Sequence, residues 1–310
     1  MDLNRAGRQT RTANTVQSYL KRAENLLARI ADELDLPEDA FPPPAEAVAF
    51  MRRNASQWKW STFRQYQASL VCRYETEAER TGNQLFLETA EEIRSLAHSD
   101  CKPASAVGQT SSRKRKGIRL ADYDLLIPNL SSPVRGGEFS KRTALWLMAA
   151  VATGLRPREW EHAELDEAQG MLHARNAKAT NGRGTGVVRS VPVATEDVTV
   201  VRAHLQSIRE LKEKGYSWLQ IHAHCSVALN RACKSLWGND PTKRYALYSA
   251  RHQFSANSKA IHTPEEVAAL LGHASVRTAR THYAPRRSAW PKFRDYAKHK
   301  HEQTKKPSNS

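Results

Sequence analysis

The chain has 310 residues, and its 48 Lys plus Arg exceed its 32 Asp plus Glu, which gives a formal net charge of +16. This excess favours a polyanionic partner, and no uninterrupted apolar run reaches the roughly 18 residues of a membrane span. The length predicts two domains, each large enough to bury a core. We therefore expect a nucleic acid, and no membrane, as the partner.

The N-terminal residues carry arginines without a following apolar stretch, so they do not resemble a secretory signal and we expect a cytoplasmic protein. The four cysteines lack the spacing of a disulfide framework and are predicted to be reduced and structural. A metal site built from His222, His224, Cys225 and Cys233 would lack the second cluster that completes a tetrahedral shell. We expect no metal.

Residues 1–98 are predicted to form a helical domain. Apolar residues recur at steps of three and four from Val16 to Ile30, three prolines then break the chain, and a second helix is predicted over residues 45–53. Ser61 and Thr62 can cap the first turn of a third helix. A small helical bundle results.

Residues 99–117 lack apolar periodicity and are rich in Ser, Gly and basic residues, which predicts a linker. It contains the basic run Arg113, Lys114, Arg115 and Lys116. Such a run can be an import signal, a solvated linker or a strap that lies on phosphates. With a polyanionic partner we favour the strap, and the solvated linker is the alternative.

Residues 118–285 are predicted to form a second domain, mainly helical, and residues 286–310 a basic tail. The spacing of apolar residues changes over residues 171–193. Two extended segments there flank a turn rich in Asn and Gly, which predicts a β-hairpin. Helical patterns return in the segments 195–213, 218–236, 249–258 and 264–271.

Three short motifs in this domain can carry chemistry. Residues 153–159 read TGLRPRE, and the guanidinium of Arg156 can contact a phosphate with two hydrogen bonds, or it can pair with Glu159 at a helix start. Residues 248–252 read YSARH. Residues 270–273 read LLGH and are followed ten positions later by Tyr283.

The LLGH motif ends a short helix. Thr263 and Glu266 form a capping box with Pro264 in the first turn, and Gly272 ends the helix. Taken alone, a histidine at this exit is more often a capping group and a tyrosine beyond it is more often half-buried packing.

Together these motifs resemble the tyrosine recombinase (phage integrase) family, whose members read TGLR-x-x-E, then H-x-x-R-H, then LGH, then a tyrosine. The resemblance covers about residues 120–283, with weaker support from STFRQYQASL near residue 61. It implies a helical core-binding DNA domain followed by a mixed α/β catalytic domain.

By this resemblance Arg156 and Arg251 hold the scissile phosphate, His273 donates a further hydrogen bond, and Tyr283 attacks phosphorus. Two guanidiniums can replace metal ions in phosphoryl transfer, so no cofactor is expected. A hairpin lysine protonates the leaving 5′-oxygen in the family, and Lys178 is the best match, with a solvated turn lysine as the alternative.

Two features depart from the family pattern. Tyr248 stands where many members carry a histidine, and a phenol can bind a phosphate but is a poor base at neutral pH. His252 is then expected to pack or hydrogen-bond locally. The interval from His273 to Tyr283 is one residue longer than usual, which a connecting loop can absorb.

The resemblance also implies DNA contacts outside the catalytic motifs. In the helical domain the expected DNA-binding residues are Lys21, Trp58, Lys59 and Arg64. The alternative is that the tryptophans are core residues, which we expect of Trp60 more than of Trp58. The tail is expected to bury Trp290 and Phe293 on a neighbouring subunit, or to be an unstructured basic extension.

The sequence thus predicts a site-specific recombinase that cuts and rejoins double-stranded DNA through a 3′-phosphotyrosyl intermediate, for integration, excision or resolution of an element. The family implies a homo-tetramer on two DNA sites, a Holliday junction, and in some cases an accessory DNA-binding protein. The alternatives are a type IB topoisomerase-like enzyme and a non-enzymatic DNA-binding protein. An RNA-binding protein is a weaker alternative, because the sequence lacks the usual aromatic sheet or loop signatures of RNA-binding modules.

Overall fold

The computed structural model describes residues 12–37, 40–97, 99–102, 114–133, 137–176, 187–273 and 275–295. The chain divides into two compact units, Met1–Ser105 and Ala106–Ser310. None of the described helices is long and apolar enough to cross a membrane.

The first unit is a small bundle of four described helices, α1 to α4. Thr12 caps α1 through its side chain, and the predicted apolar face of this helix is buried from Ala23 to Ile30. The helices are α1 Ala13–Glu33, α2 Pro44–Asn54, α3 Trp60–Thr81 and α4 Gln84–Ser95. The predicted bundle is confirmed.

The start of α3 differs from the sequence prediction. The helix begins at Trp60, and Lys59 is its N-cap without a side-chain hydrogen bond, so the predicted capping by Ser61 and Thr62 is wrong. The extended backbone of Lys59 places its carbonyl to accept from the amides of Thr62 and Phe63. The helix therefore starts before the hydroxyl side chains.

The two tryptophans beside this start have the reverse of the predicted burial. Trp58 is half-buried, and its ring centroid lies 4.8 Å from that of Tyr66 and 5.8 Å from that of Phe50. Trp60 is 45% exposed. Trp58 precedes the helix and inserts among aromatic rings, whereas Trp60 lies on the outer face of the first turn.

The described part of the second unit is mainly helical and carries one three-stranded antiparallel sheet in the order β1-β2-β3. The predicted hairpin is formed by β2 and β3, and β1 adds a third strand. Its elements are α5 Leu120–Ser131, α6 Glu138–Thr153, β1 Glu164–Asp166, β2 Met171–Arg175, β3 Val188–Pro192, α7 Thr195–Glu213, α8 Trp218–Trp237, α9 Leu247–Ile261, α10 Pro264–Leu270 and α11 Val276–His282.

Two glycines with positive φ end the helices that carry the first and third motifs. Gly154, at φ 68°, ends α6, and Gly272, at φ 62°, follows α10, whose predicted capping box between Thr263 and Glu266 is confirmed. A Cβ atom on Gly154 would lie 2.2 Å from the ring of Phe254. Only glycine fits this conformation and this close approach.

The chain before α5 and after α11 is fixed to the second unit. The Arg115 amide donates to the Arg244 carbonyl at 2.7 Å. Trp290 is buried, and its Nε1 donates to the Ile118 carbonyl at 2.8 Å while its ring centroid lies 4.8 Å from that of Tyr123. Trp290 is therefore buried within its own chain, and the docking of the tail on a neighbouring subunit stays a prediction, because residues 296–310 lie outside the described residues.

Candidate active site

Tyr283 follows α11 directly, and its side chain is 8% exposed. Its hydroxyl lies 2.9 Å from the hydroxyl of Tyr248, 3.0 Å from Nε of Arg251 and 3.2 Å from Nε2 of His273. The ring packs in an apolar cluster with Phe254. The fold thus brings together four residues that were predicted to form the site.

Arg251, on α9, is fully buried and held by the ends of the two neighbouring motif helices. Its Nη1 donates to the Gly154 carbonyl, and its Nη2 donates to the Leu271 carbonyl at 2.7 Å. Its Nε is left to donate to Tyr283. Two backbone acceptors therefore fix the direction in which this guanidinium presents its remaining donor.

Arg156 begins the short 3₁₀ helix Pro157–His162 and pairs with Glu159, as the alternative interpretation expected. Its Nη1 lies 2.5 Å from Oε1 of Glu159, and its amide donates to Oε2 at 2.7 Å. Its Nε is buried with no hydrogen-bond partner among the described residues. A buried donor without an acceptor costs about 1–3 kcal/mol, so this atom is an available contact for a bound anion.

Glu159 is the centre of a buried cluster of three guanidiniums. Besides Arg156, Arg189 on β3 lies 2.8 Å from its Oε2, and Arg251 lies 3.7 Å from the same oxygen. Burial would raise the pKa of Glu159, but Arg189, Arg251 and Arg156 outweigh it and hold that pKa below its ordinary value. The carboxylate is therefore charged.

The place of Arg189 in the buried cluster around Glu159 was not predicted from the sequence. There Arg189 is one of several arginines near Lys178. The strand pattern contains a signal, since Arg189 and Val191 alternate with exposed neighbours and share the buried face of β3. An arginine at a buried strand position needs a partner, and only the tertiary fold identifies Glu159.

The charges around Tyr283 favour its ionised form. Burial raises its pKa, but the charges of Arg251 and Arg156 and the hydrogen bonds from Tyr248 and Arg251 bring the pKa below its ordinary value. For Tyr248, burial and the neighbouring Tyr283 raise the pKa to about 12. Tyr248 therefore stays protonated at neutral pH and donates to Tyr283, so its phenol is a donor and no base.

The two histidines of the site are neutral at pH 7. Burial and the neighbouring cations lower the pKa of both His252 and His273 to about 3. Nε2 of His273 lies 3.3 Å from Nη2 of Arg251, which can only donate, so Nε2 accepts there. His252 packs as expected, with its ring centroid 4.9 Å from that of Tyr283.

The longer interval between His273 and Tyr283 is occupied by α11 and does not remove the tyrosine from the cluster. The predicted general acid Lys178 lies outside the described residues, as does Arg113 of the basic run.

A metal centre has no support in the described part of the chain, which contains no group of three or more His, Cys, Asp and Glu side chains with metal-binding geometry. His222 and His224 instead contact the rings of Trp146 and Phe139. The four cysteines are free thiols, and three of them are buried.

The predicted DNA-contacting residues differ in exposure. In the first unit Lys21 and Arg64 are exposed and Lys59 is half-buried, whereas Trp58 is part of the aromatic packing described above. In the second unit Lys114, Arg115 and Lys116 are half-buried. Lys116 lies close enough to His252 and Lys259 that its charge lowers the pKa of both.

Neither a protein-family model nor a curated protein sequence matches this chain. Solved structures do match. The Tn1549 transposon integrase in complex with circular intermediate DNA is 15% identical, with a TM-score of 0.52 over 96% of this chain and 98% of that chain. The same integrase in complex with transposon right end DNA is 16% identical, with a TM-score of 0.50 over 96% of each chain.

A XerH site-specific recombinase bound to palindromic difH substrate matches less closely, at 15% identity and a TM-score of 0.49 over 85% of this chain and 71% of that chain. The two integrase complexes are matched over nearly their whole length. The chain therefore has the fold of the tyrosine recombinases.

Proposed function

We propose that this protein cuts and rejoins double-stranded DNA as a site-specific recombinase, with Tyr283 as the nucleophile. The observation that supports this most directly is the convergence of Arg251, Tyr248 and His273 on the Tyr283 hydroxyl. Of these three, Arg251 and Tyr248 donate to the buried phenol and favour a negatively charged oxygen, as a nucleophile that attacks phosphorus requires.

Arg156 and Arg251 would bind the two non-bridging oxygens of the scissile phosphate. Among the described residues, the Nε atom of Arg156 has no protein acceptor and the Nε atom of Arg251 donates only to the Tyr283 hydroxyl. The Arg156 donor is thus already available to a phosphate, and the Arg251 donor becomes available when the hydroxyl moves to attack phosphorus. Positively charged groups that already lie beside the equatorial oxygens before the reaction stabilise the transition state of phosphoryl transfer.

In the cleavage step the phenol oxygen of Tyr283 forms a bond to phosphorus while the bond from phosphorus to the 5′-oxygen breaks. The phenol, whose pKa the neighbouring cations lower, releases its proton to solvent, and the departing 5′-oxygen gains one, which we assign to Lys178. A 3′-phosphotyrosyl linkage and a free 5′-hydroxyl result. Attack by the 5′-hydroxyl of a second strand reverses these changes, so the phosphodiester bond energy is kept and no nucleotide is consumed.

Tyr248 and His273 have separate roles in this scheme. Tyr248 stays protonated and donates to the forming phenolate, while Nε2 of His273 accepts from the phenol in the free protein. A donation from His273 Nε2 to the phosphate requires the other tautomer of the ring, which a neutral imidazole can adopt.

The net charge and the fold of the chain also support the proposal of a DNA recombinase. The net charge of +16 suits a DNA ligand, and the fold is that of an integrase solved with circular intermediate DNA. We extend the proposal to a homo-tetramer on two DNA sites that passes through a Holliday junction during integration, excision or resolution. An accessory DNA-binding protein would set the direction.

Covalent trapping on DNA tests the proposal. The native protein, Tyr283→Phe and the control Tyr216→Phe are each mixed with nicked, labelled DNA fragments from around the coding region and run on a denaturing gel. We expect a slowed, protease-sensitive DNA band with the native protein and with Tyr216→Phe, and none with Tyr283→Phe. An adduct formed by Tyr283→Phe would overturn the nucleophile assignment.

The phosphate-binding arginines are tested on the same fragments. Arg156→Ala and Arg251→Ala should each lower cleavage by about 10²–10³-fold, as the loss of one preorganised donor does elsewhere. Their DNA affinity should fall only in part, because each is one of many phosphate contacts. Relaxation of supercoiled plasmid without exchange between two DNA copies would favour a type IB topoisomerase-like activity.

A further inference from the structure

Arg189 is buried beside the candidate site but does not face the Tyr283 hydroxyl. Its side chain is 4% exposed and pairs with Glu159 through both terminal nitrogens, at 2.8 Å and 3.4 Å. Nη1 also donates to the Leu271 carbonyl at 2.9 Å and to Oδ1 of Asn176 at 3.3 Å. These bonds connect β3 to the 3₁₀ helix of the first motif and to the end of α10.

The close packing around Gly272 keeps Arg189 in this place. A Cβ atom on Gly272 would lie 2.6 Å from Nη1 of Arg189 and 2.5 Å from Oδ1 of Asn176. The third motif therefore needs its glycine to admit the guanidinium as well as to end the helix. Both terminal nitrogens of Arg189 are bound to protein acceptors, so they are not left for a phosphate, and only its Nε has no partner among the described residues.

The cluster around Glu159 carries more positive than negative charge, which favours the binding of a phosphate. Glu159 contributes one negative charge, and Arg156, Arg189 and Arg251 contribute three positive charges within 3.7 Å of its oxygens. Arg189 contributes most to lowering the pKa of Glu159. Burial lowers the pKa of Arg189 itself only to about 10, so Arg189 is charged at neutral pH.

We propose that Arg189 is a positioning residue that acts as the buried counter-charge of Glu159, so that Arg156 and Arg251 keep their positive charge for the DNA phosphate. The inference rests on the proposed function of Tyr283 for its biological meaning. Without Arg189 the carboxylate would be neutralised by the two arginines that face the phosphate. At low dielectric a neighbouring charge is only weakly screened, so this loss of positive charge would weaken the stabilisation of the reacting oxygens.

The pKa of the Tyr283 phenol reports the balance between the charge of Glu159 and the charges of the three arginines, because the phenol lies where the phosphate would bind. The charged and titratable groups that face it are Arg156 on the 3₁₀ helix, His273 after α10, and three residues of α9. Those three are Tyr248, Arg251 and His252. None of them is changed by a substitution at position 159 or 189.

Three substitutions should move the pKa of Tyr283 in different directions. Arg189→Met removes one positive charge, so the pKa should rise by about one unit. Glu159→Gln removes one negative charge, so the pKa should fall. The double variant Glu159→Gln/Arg189→Met removes one of each, and its pKa should return close to that of the native protein.

The pKa can be measured in the free protein, without DNA. The chain is labelled with 3-fluorotyrosine, the resonance of position 283 is identified by its loss in Tyr283→Phe, and its ¹⁹F shift is followed against pH in each variant. Circular dichroism confirms that each variant is folded. If Arg189→Met does not fold, Glu159→Gln and the double variant, which leave no carboxylate unpaired, still give different expectations: a lowered pKa in the first and a pKa close to the native value in the second.

Shifts of the same direction in all three variants, or no shift in any, would overturn the counter-charge role, because a purely structural role predicts only loosened packing. Covalent trapping gives a second measurement. Arg189→Met should cleave at least about tenfold more slowly than the native protein, and the double variant should recover most of that loss. Because the ¹⁹F titration needs no cleavage, failure of the proposed DNA chemistry is distinguishable from failure of the charge balance.

Discussion

Replacement of Gly154 by alanine tests the link between the TGLR motif and the buried arginine. Gly154 has φ 68°, and an added Cβ atom would lie 2.2 Å from the Phe254 ring, which cannot move without disturbing the cluster around Tyr283. The left-handed conformation costs an alanine about 1 kcal/mol, and overpacking of a filled core adds about 1–3 kcal/mol. We expect a total loss of about 2–4 kcal/mol in the free energy of unfolding.

Gly215 is a matched control in the same unit. It also has positive φ, at 87°, but an added Cβ atom would meet nothing within 4 Å. Gly215→Ala should therefore cost only the conformational part, about 1 kcal/mol. Urea unfolding followed by circular dichroism measures both variants, and the midpoint shift is read at constant slope.

Gly154→Ala should also slow DNA cleavage more than Gly215→Ala does, because the carbonyl of Gly154 accepts from Arg251. The double variant Gly154→Ala/Phe254→Leu should recover part of the stability, since it relieves the contact with the ring. Equal destabilisation by the two glycine variants, or strict additivity in the double variant, would refute the reasoning.

Two further predictions concern protonation. Tyr248→Phe removes a donor to Tyr283, so the pKa of Tyr283 should rise and cleavage at pH 7 should slow roughly tenfold, recovering at higher pH; a uniform loss across the pH range would contradict this. His204 is buried without a hydrogen-bond partner among the described residues, and burial lowers its pKa to about 3. The unfolded chain binds this proton below about pH 6.5, so the native protein should lose about 2 kcal/mol of stability through His204 between pH 8 and pH 5. Urea midpoints at the two pH values should differ less in His204→Phe, and an unchanged pH dependence would count against the assignment.

The order and limits of the helices followed closely from local sequence. Capping and periodicity act over a few residues, so the sequence predicted α7 and the cap of α10 well. The start of α3 was missed because Lys59 ends its extended segment before the hydroxyl residues, and side-chain capping is one of several ways to satisfy the first amides. The burial of Trp58 over Trp60 depends on which side of α3 meets the other helices, which periodicity alone does not fix.

The sequence by itself determined the identity and order of Arg156, Arg251, His273 and Tyr283, because motif residues and the glycines beside them are local features of the chain. Only the tertiary structure decided what each of them touches. The partnership of Glu159 with Arg189 joins residues 30 positions apart, and Trp290 reaches Ile118 across 172 positions. Such contacts depend on how strands and helices pack, and a buried charge or a large ring finds its partner only when that packing has excluded water.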